Sequence, residues 1–184
     1  TIVATMFQER GLMPSEKLAG LMAAAILSDT ILFKSPTCTP RDKRIAERLA
    51  RIAGIDLDAL GKEIFSVGVN SSKPVEELLS TDFKEFHIAG HSLGIGQVTC
   101  LDTDRMLNRL PELIPAMERL KEDKRYDMLM LMLTDVLREG TELIFLGEED
   151  VVRSAFNTGE IRDHHVFLPK VVSRKKQVVP ALAL

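Results

Sequence analysis

Near the end of the chain, Arg174, Lys175 and Lys176 stand between two apolar pairs, Val171-Val172 and Val178-Val179. Valines draw backbone toward an interior, and charge close to an interior is heavily penalised unless an anion meets it. An Arg fork beside a Lys point charge is the usual equipment for binding phosphate. In a strand, neighbouring side chains point to opposite faces. For Arg174 and Lys175 to grip one ligand the backbone must turn, so a loop is expected over Ser173–Pro180. The alternative is an edge strand whose lysines oppose aggregation.

Asp29 is the second residue that could do chemistry. It lies in Ile26-Leu27-Ser28-Asp29-Thr30, after the apolar run Leu18–Leu27 and before Ile31-Leu32-Phe33. A carboxylate lodged between apolar runs, at a helix C-terminus whose dipole opposes it, gains from a cation and above all from a metal. The competing expectation is a surface turn residue partnered by Thr30. Lys34 reads as a solvated turn residue and Lys84, on residue type alone, as a surface lysine. His87 and His91 have i, i+4 spacing, but the strand pattern around Gly90 argues against a shared helix face. All four histidines, including His164 and His165, read as surface loop residues. Gly94-Ile95-Gly96 lacks the Gly-Lys-Ser/Thr that would make it a phosphate loop.

The elements that must position these groups are legible in outline. The 184 residues fit one medium domain or two small ones. A net charge of -3 and a pI near 5.8 argue against nucleic acid as a partner, so the basic cluster suits a small anion. Cys38 and Cys100 form no metal or redox spacing, which suggests a reduced, cytoplasmic setting. No apolar run approaches the roughly 20 residues that span a bilayer. Thr1–Phe7 enters helical spacing without an initiator Met and reads as cut from a longer chain.

Helices are expected from Ile2 to Gly11, from Ser15 as N-cap through a Leu18–Leu27 stretch buried all round, from Thr39-Pro40 to Ala53, and from Asp56 to Phe65. Gly68–Pro74 carries linker residues and marks the domain boundary. Beyond it, strands and helices alternate. A hairpin turns about Ala89-Gly90-His91, and Asp102 caps a helical region to about Lys124 that breaks near Pro111 and Pro115. Met128–Val136 and Leu143–Leu146 are strands, Glu148–Phe156 a helix, and Val166–Leu168 a further strand. The fold class is α/β with a mixed sheet flanked by helices.

With these residues in view, the chain resembles the C-terminal part of family II inorganic pyrophosphatases, of the DHH phosphoesterase superfamily. The stretches that carry the resemblance are Ala19-Gly20-Leu21-Met22, Ile26-Leu27-Ser28-Asp29, Leu32–Thr39, Ile52-Ala53-Gly54, Val75-Glu76-Glu77-Leu78, Lys84-Glu85-Phe86 and Ser173–Pro180. The resemblance implies that residues 1–67 are the last helices of a DHH catalytic domain, 68–74 a hinge, and 75–184 a substrate-binding DHHA2 domain. It implies hydrolysis of pyrophosphate to two phosphates with Mn2+ or Co2+ as cofactor and Mg2+ accompanying the substrate. Asp29 matches a metal ligand, while Lys84, Arg174 and Lys175 match the substrate-holding cations. A homodimer is implied for the full-length protein, with neither nucleic acid nor membrane as partner. The family's His-x-x-x-Asp-x-Asp and Asp-His-His metal motifs have no match here. The first histidine is His87, and Asp163-His164-His165 falls in the wrong domain. Lys170 stands where the family often has a small residue. The fragment alone is therefore expected to be inactive. Two other readings are a non-catalytic anion-binding or dimerisation module, and a related DHH phosphoesterase acting on oligonucleotides.

Overall fold

The computed structural model of the chain describes residues 1–68, 73–101, 103–158 and 161–183. The polypeptide separates into two compact units, Thr1–Gly68 and Val69–Leu184. Val69–Ser72, most of the expected linker, and the expected cap Asp102 lie outside the described residues. Among the described residues no helix is long and apolar enough to cross a membrane.

The first unit holds four helices, α1 (Ile2–Glu9), α2 (Glu16–Asp29), α3 (Pro40–Ala53) and α4 (Leu57–Gly68). Their ends follow from capping chemistry. Ser15 Oγ accepts the Leu18 N–H. Thr39 and Asp42 exchange side-chain and backbone bonds as a capping box, Pro40 occupies the first turn, and Gly54 closes α3 in the left-handed region at φ 66°. The expectation that α2 is buried on every face is corrected. Only the stripe Ala19, Met22, Ala23, Ile26 and Leu27 is buried, whereas Leu21 is 68% exposed. The stripe packs with Ala46 and Leu49 of α3, and helical spacing turns the remaining apolar residues away from that core.

The second unit is a five-stranded mixed sheet with helices on both faces. Its elements are α5 (Val75–Ser80), β1 (Phe83–Ile88), β2 (His91–Cys100), α6 (Asp104–Leu107), α7 (Leu110–Lys124), β3 (Met128–Asp135), β4 (Gly140–Leu146), α8 (Glu149–Phe156), β5 (His165–Pro169), a π-helical turn (Arg174–Val178) and α9 (Val179–Leu182). The strand order is β1-β2-β3-β4-β5. β2 and β3 run parallel through the α6–α7 crossover, and the other neighbours are antiparallel. β3 shows why a continuous apolar run is needed here: its side chains split by period two between two cores. Leu129, Leu131 and Leu133 meet Leu78, Leu79, Leu113 and Met117 on the α5–α7 face. Met128, Met130 and Met132 meet Val152 and Val178 on the other.

Two expectations change in this unit. Pro115 does not break α7; it lies inside it, and Pro111 occupies the first turn, where a missing N–H costs nothing. The Ser173–Pro180 segment is helical rather than a loop. Ser173 caps the turn by accepting the Lys176 N–H, Val178 is fully buried, and Pro180 sits in the first turn of α9.

Gly94-Ile95-Gly96 lies inside β2. A Cβ at Gly94 would stand 2.4 Å from Phe83 Cζ and 2.9 Å from Tyr126 Cε2, so the glycine makes room for an aromatic pair. Tyr126 is buried, and its hydroxyl donates to Glu85 Oε1 at 2.5 Å. Burial first, then the Glu85 hydrogen bond and charge, push its phenol up from 10.0 to about 12. The neutral phenol is favoured in the folded state, so its contribution to stability is present below pH 10 and is lost as pH rises toward 12. With one tyrosine and no tryptophan, phenolate absorbance reports this group alone. The folded chain should titrate near 12, the urea-unfolded chain near 10, and Glu85→Gln should lower the folded midpoint. A folded midpoint equal to the unfolded one would refute the coupling.

Gly140 opens β4 where a Cβ would lie 2.8 Å from the Leu168 carbonyl oxygen and 2.5 Å from Phe167 Cζ. A backbone atom cannot swing aside, so Gly140→Ala should destabilise by about 1–3 kcal/mol. Urea unfolding measures this, and a midpoint unchanged from wild type would show that the strand pair relaxes freely.

Candidate functional site

The turn that carries the cations is built from its caps inward. After β5 the backbone at Lys170 takes a positive φ of 62°, and its N–H donates to the Glu139 carbonyl at 2.7 Å, steering the chain off the sheet edge. The N–H groups of Gln177 and Val178 both reach back to the Ser173 carbonyl, at 3.0 and 3.3 Å, which winds the chain into a wide turn. Wide turns of this kind are frequent at functional sites. Successive side chains on a helical turn diverge by on the order of 100° rather than alternating, so Arg174 and Lys175 take different environments. Lys175 and Lys176 are exposed, and Arg174 is only 5% exposed.

The anion demanded by this buried cation is Asp82, a residue the sequence reading did not single out. Arg174 Nη1 donates to the Asp82 carbonyl at 2.6 Å and to the Ile95 carbonyl at 2.9 Å; Nη2 donates to Asp82 Oδ1 at 2.6 Å. Three of the five guanidinium N–H groups are thereby engaged across its Nη1–Nη2 end. Nε and one Nη2 N–H make no hydrogen bond among the described residues. Unused guanidinium N–H groups are suited to oxygens of a phosphate or carboxylate. The available signal for Asp82 was its place two residues before Lys84, at the mouth of β1.

Lys84 is exposed on β1 and pairs in register with Ile95, whose carbonyl Arg174 holds. Period two puts it on the same face as Phe86 and Ile88, which pack on the core containing Val178. The fold therefore brings Lys84 to the β1–β2 edge at which Arg174 is fixed, with Lys175 adjoining. A mainly apolar cavity of about 410 Å³, lined by Leu79, Phe83, Ala116 and Tyr126 among others, opens on the α5–α7 face and includes none of these three cations.

Asp29 ends α2 in the first unit and is exposed, not lodged in an interior. The helical period gives the buried positions to Ile26, Leu27 and Thr30 instead. Thr30 Oγ1 donates to the Ile26 carbonyl at 2.7 Å and accepts the Phe33 N–H at 3.2 Å. Its hydroxyl knits the chain reversal and is not the partner of Asp29. Ile31, Leu32 and Phe33 all have positive φ (50°, 52° and 66°), a costly run for residues with a Cβ and most costly for β-branched Ile31. Lys34, at the end of this reversal, is half-buried. Among the described residues no three His, Cys, Asp or Glu side chains gather as a metal would need.

Of the four histidines expected in surface loops, His164 lies in an exposed turn, whereas His87 lies in β1, His91 opens β2 and His165 opens β5; His87 and His91 are exposed there. His87 and His91 share no helix face, as their setting suggested. His165 is half-buried, and its Nδ1 lies 3.3 Å from Glu142 Oε2. Arg138 Nη1 donates to Glu142 Oε1 at 3.2 Å while its guanidinium stacks over Phe167. This cluster fastens the β4–β5 end of the sheet.

The DHHA2 domain family model matches residues 62–183. The chain is 40% identical over 99% of its length to the manganese-dependent inorganic pyrophosphatase of Methanothrix thermoacetophila, covering 60% of that protein. It is 42% identical, again over 99%, to the cobalt-dependent inorganic pyrophosphatase of Clostridium perfringens, covering 33% of it. A crystal structure of a Methanococcus jannaschii protein, named as a candidate family II inorganic pyrophosphatase, superposes with a TM-score of 0.83 at 36% identity, covering 99% of this chain and 62% of that one. The chain thus spans about 60% of the length of the manganese-dependent relative and less of the cobalt-dependent one. Its mixed sheet, two-sided helical packing and matched residues make this chain a member of the DHHA2 domain family.

Proposed function

We propose that this chain supplies the substrate-holding part of an inorganic pyrophosphatase, which hydrolyses pyrophosphate to two phosphates with Mn2+ or Co2+ as cofactor and Mg2+ accompanying the substrate. The observation that carries the reading is the buried Arg174, bonded through Nη1 and Nη2 at the β1–β2 edge, on the turn that also carries Lys175 and beside the strand position that Lys84 occupies in register with Ile95. Pyrophosphate concentrates negative charge on oxygens a few ångströms apart, and fixed cations offset that charge as it redistributes toward the leaving phosphate. The Arg fork orients one phosphoryl group by two parallel bonds, and the two lysines neutralise oxygens from mobile stems. The same reading makes residues 1–67 the end of a catalytic domain, 68–74 a hinge and 75–184 the domain that closes on substrate.

Asp29 is the residue proposed to face the metal. One exposed carboxylate with no companion cluster among the described residues does not by itself fit a two-metal centre. The 184-residue chain should therefore release no phosphate from manganese pyrophosphate above a no-protein control. It should still bind pyrophosphate, because the cations belong to one domain. Calorimetric titration is the direct test: binding lost in Arg174→Ala supports the reading, and no binding by wild type overturns it. Turnover by the chain alone would refute the division of labour, and binding without any metal centre in a longer parent would favour the anion-binding module.

In the longer protein that this reading implies, Asp29 and Arg174 should separate. Asp29→Asn keeps shape but loses a metal-directed charge, so Mn2+ affinity read by spin resonance should fall at least tenfold. Arg174→Lys keeps charge but loses the fork, so kcat and kcat/KM should fall together with Mn2+ affinity unchanged. The reverse pattern would mean that the roles are misassigned.

A further inference from the structure

The segment that leads into the cation turn, residues 170–173, runs beyond the last strand pairing, yet its backbone is closely held by side chains. Gln177 Nε2 donates to the Lys170 carbonyl at 2.7 Å. Gln177 Oε1 accepts the N–H groups of Val172 and Ser173 at 2.9 and 3.0 Å. The Val171 carbonyl accepts from Thr141 Oγ1 at 2.5 Å, and the Val172 carbonyl from Gln97 Nε2 at 3.2 Å. Gln97 Nε2 also lies 3.0 Å from Thr134 Oγ1, which is 3.2 Å from Thr141 Oγ1. Because Thr141 spends its proton on Val171, Thr134 must donate to Thr141 and accept from Gln97. The result is one directed chain of donors ending on the segment.

Gln97, Thr134 and Thr141 extend the face that Ile95, Met132 and Leu143 line with apolar groups, so hydrocarbon ends and hydrogen bonding begins where the segment crosses. An apolar residue at any of these places would leave buried backbone groups unmet, at the cost such groups carry. Gln177 has a further consequence. Both N–H groups that it clasps lie immediately before Arg174, on the turn whose guanidinium must meet two carbonyls and a carboxylate at once.

We infer that Gln177, which holds the same backbone segment as Gln97 and Thr141, is the positioning residue that fixes the Arg174 fork for a diphosphate, acting through the backbone of residues 170–173 rather than by touching the ligand. The inference rests on the pyrophosphate reading for its ligand but not for its geometry, since the clasp and the guanidinium contacts exist without one. A turn displaced by about 1 Å would misalign a two-bond fork, and misplacements of that size are costly to ligand chemistry.

The test compares Gln177→Met, which keeps volume and removes all three hydrogen bonds, with Gln177→Glu, which restores the acceptor. Val152→Ala, which opens a cavity in the same core layer but touches none of the Gln177 hydrogen bonds, controls for loss of stability. Nitrogen NMR of the intact chain should resolve slowly rotating Arg174 Nη protons in wild type, Gln177→Glu and Val152→Ala. In Gln177→Met these should average, with the Val172 and Ser173 amides exchanging at least tenfold faster. Pyrophosphate affinity should fall roughly tenfold in Gln177→Met and hold in Val152→Ala. Ordered Arg174 signals in Gln177→Met, or release in Gln177→Glu as complete as in Gln177→Met, would overturn the positioning role. A released Arg174 with pyrophosphate affinity unchanged would uphold the positioning and overturn the ligand instead. Should Gln177→Met not fold, Thr141→Val cuts the Val171 link together with the acceptor of the Thr134 hydroxyl while leaving the Gln177 clasp in place, and the same Arg174 signals must then loosen or the inference fails.

Discussion

A guanidinium held between two strands governs the second unit. Arg174 reaches the carbonyls of Asp82 and Ile95 and the carboxylate of Asp82, tying the end of the chain to the β1–β2 edge. Burying such a group is tolerable only when its charge and its protons are met, and replacing one partner would strand the rest. The turn around it is therefore constrained from three directions: Val178 in the core, Ser173 and Gln177 on the backbone, and Asp82 on the charge. Lys84 and Lys175 inherit their places from that arrangement. They are exposed, flexible stems, and what locates them is the register of β1 and the wind of the turn.

Much of the fold was legible in the sequence because local chemistry and tertiary packing agree there. Ser15, Thr39-Pro40 and Gly54 mark helix ends by hydrogen-bonding rules that hold regardless of what the helix packs against. Met128–Val136 reads as a strand because its continuous apolar run has the length of a strand buried on both faces rather than that of a helix, and β3 covers Met128–Asp135. The misreadings share a different cause. Leu21 looks like core in the sequence, but whether an apolar helix position is covered depends on how many neighbours reach it. Ser173–Pro180 looks like a loop because valines and charges carry no helical signal, and its winding comes from distant backbone acceptors and a buried Val178.

The cations themselves were visible as residue types; their partners were not. Asp82 is an ordinary acid in a turn until Arg174, 92 positions later, is folded onto it. Gln177 and Gln97 carry no charge or motif that would single them out, and their importance follows from backbone groups that the sheet leaves unmet. Asp29 is the opposite case. Its apolar flanks suggested burial, yet the helical period hands the interior to Thr30 and leaves the carboxylate in water. What remains unusual there is the reversal that follows, in which three residues with side chains adopt a backbone region that glycine prefers.

The reach of Arg174 across the sequence also bears on when the site exists during folding. Its contact with Asp82 spans 92 positions and encloses the whole sheet, a long closure whose entropic cost is reduced once the intervening strands have paired. Any partial opening that lets this turn peel away would dismantle the proposed anion site while the central strands stay paired. A ligand gripped by this turn binds the closed state alone, and mass action then stabilises the segment by an amount set by ligand concentration. If the proposed anion is that ligand, its concentration would tune how often the Arg174 turn is open to proteases.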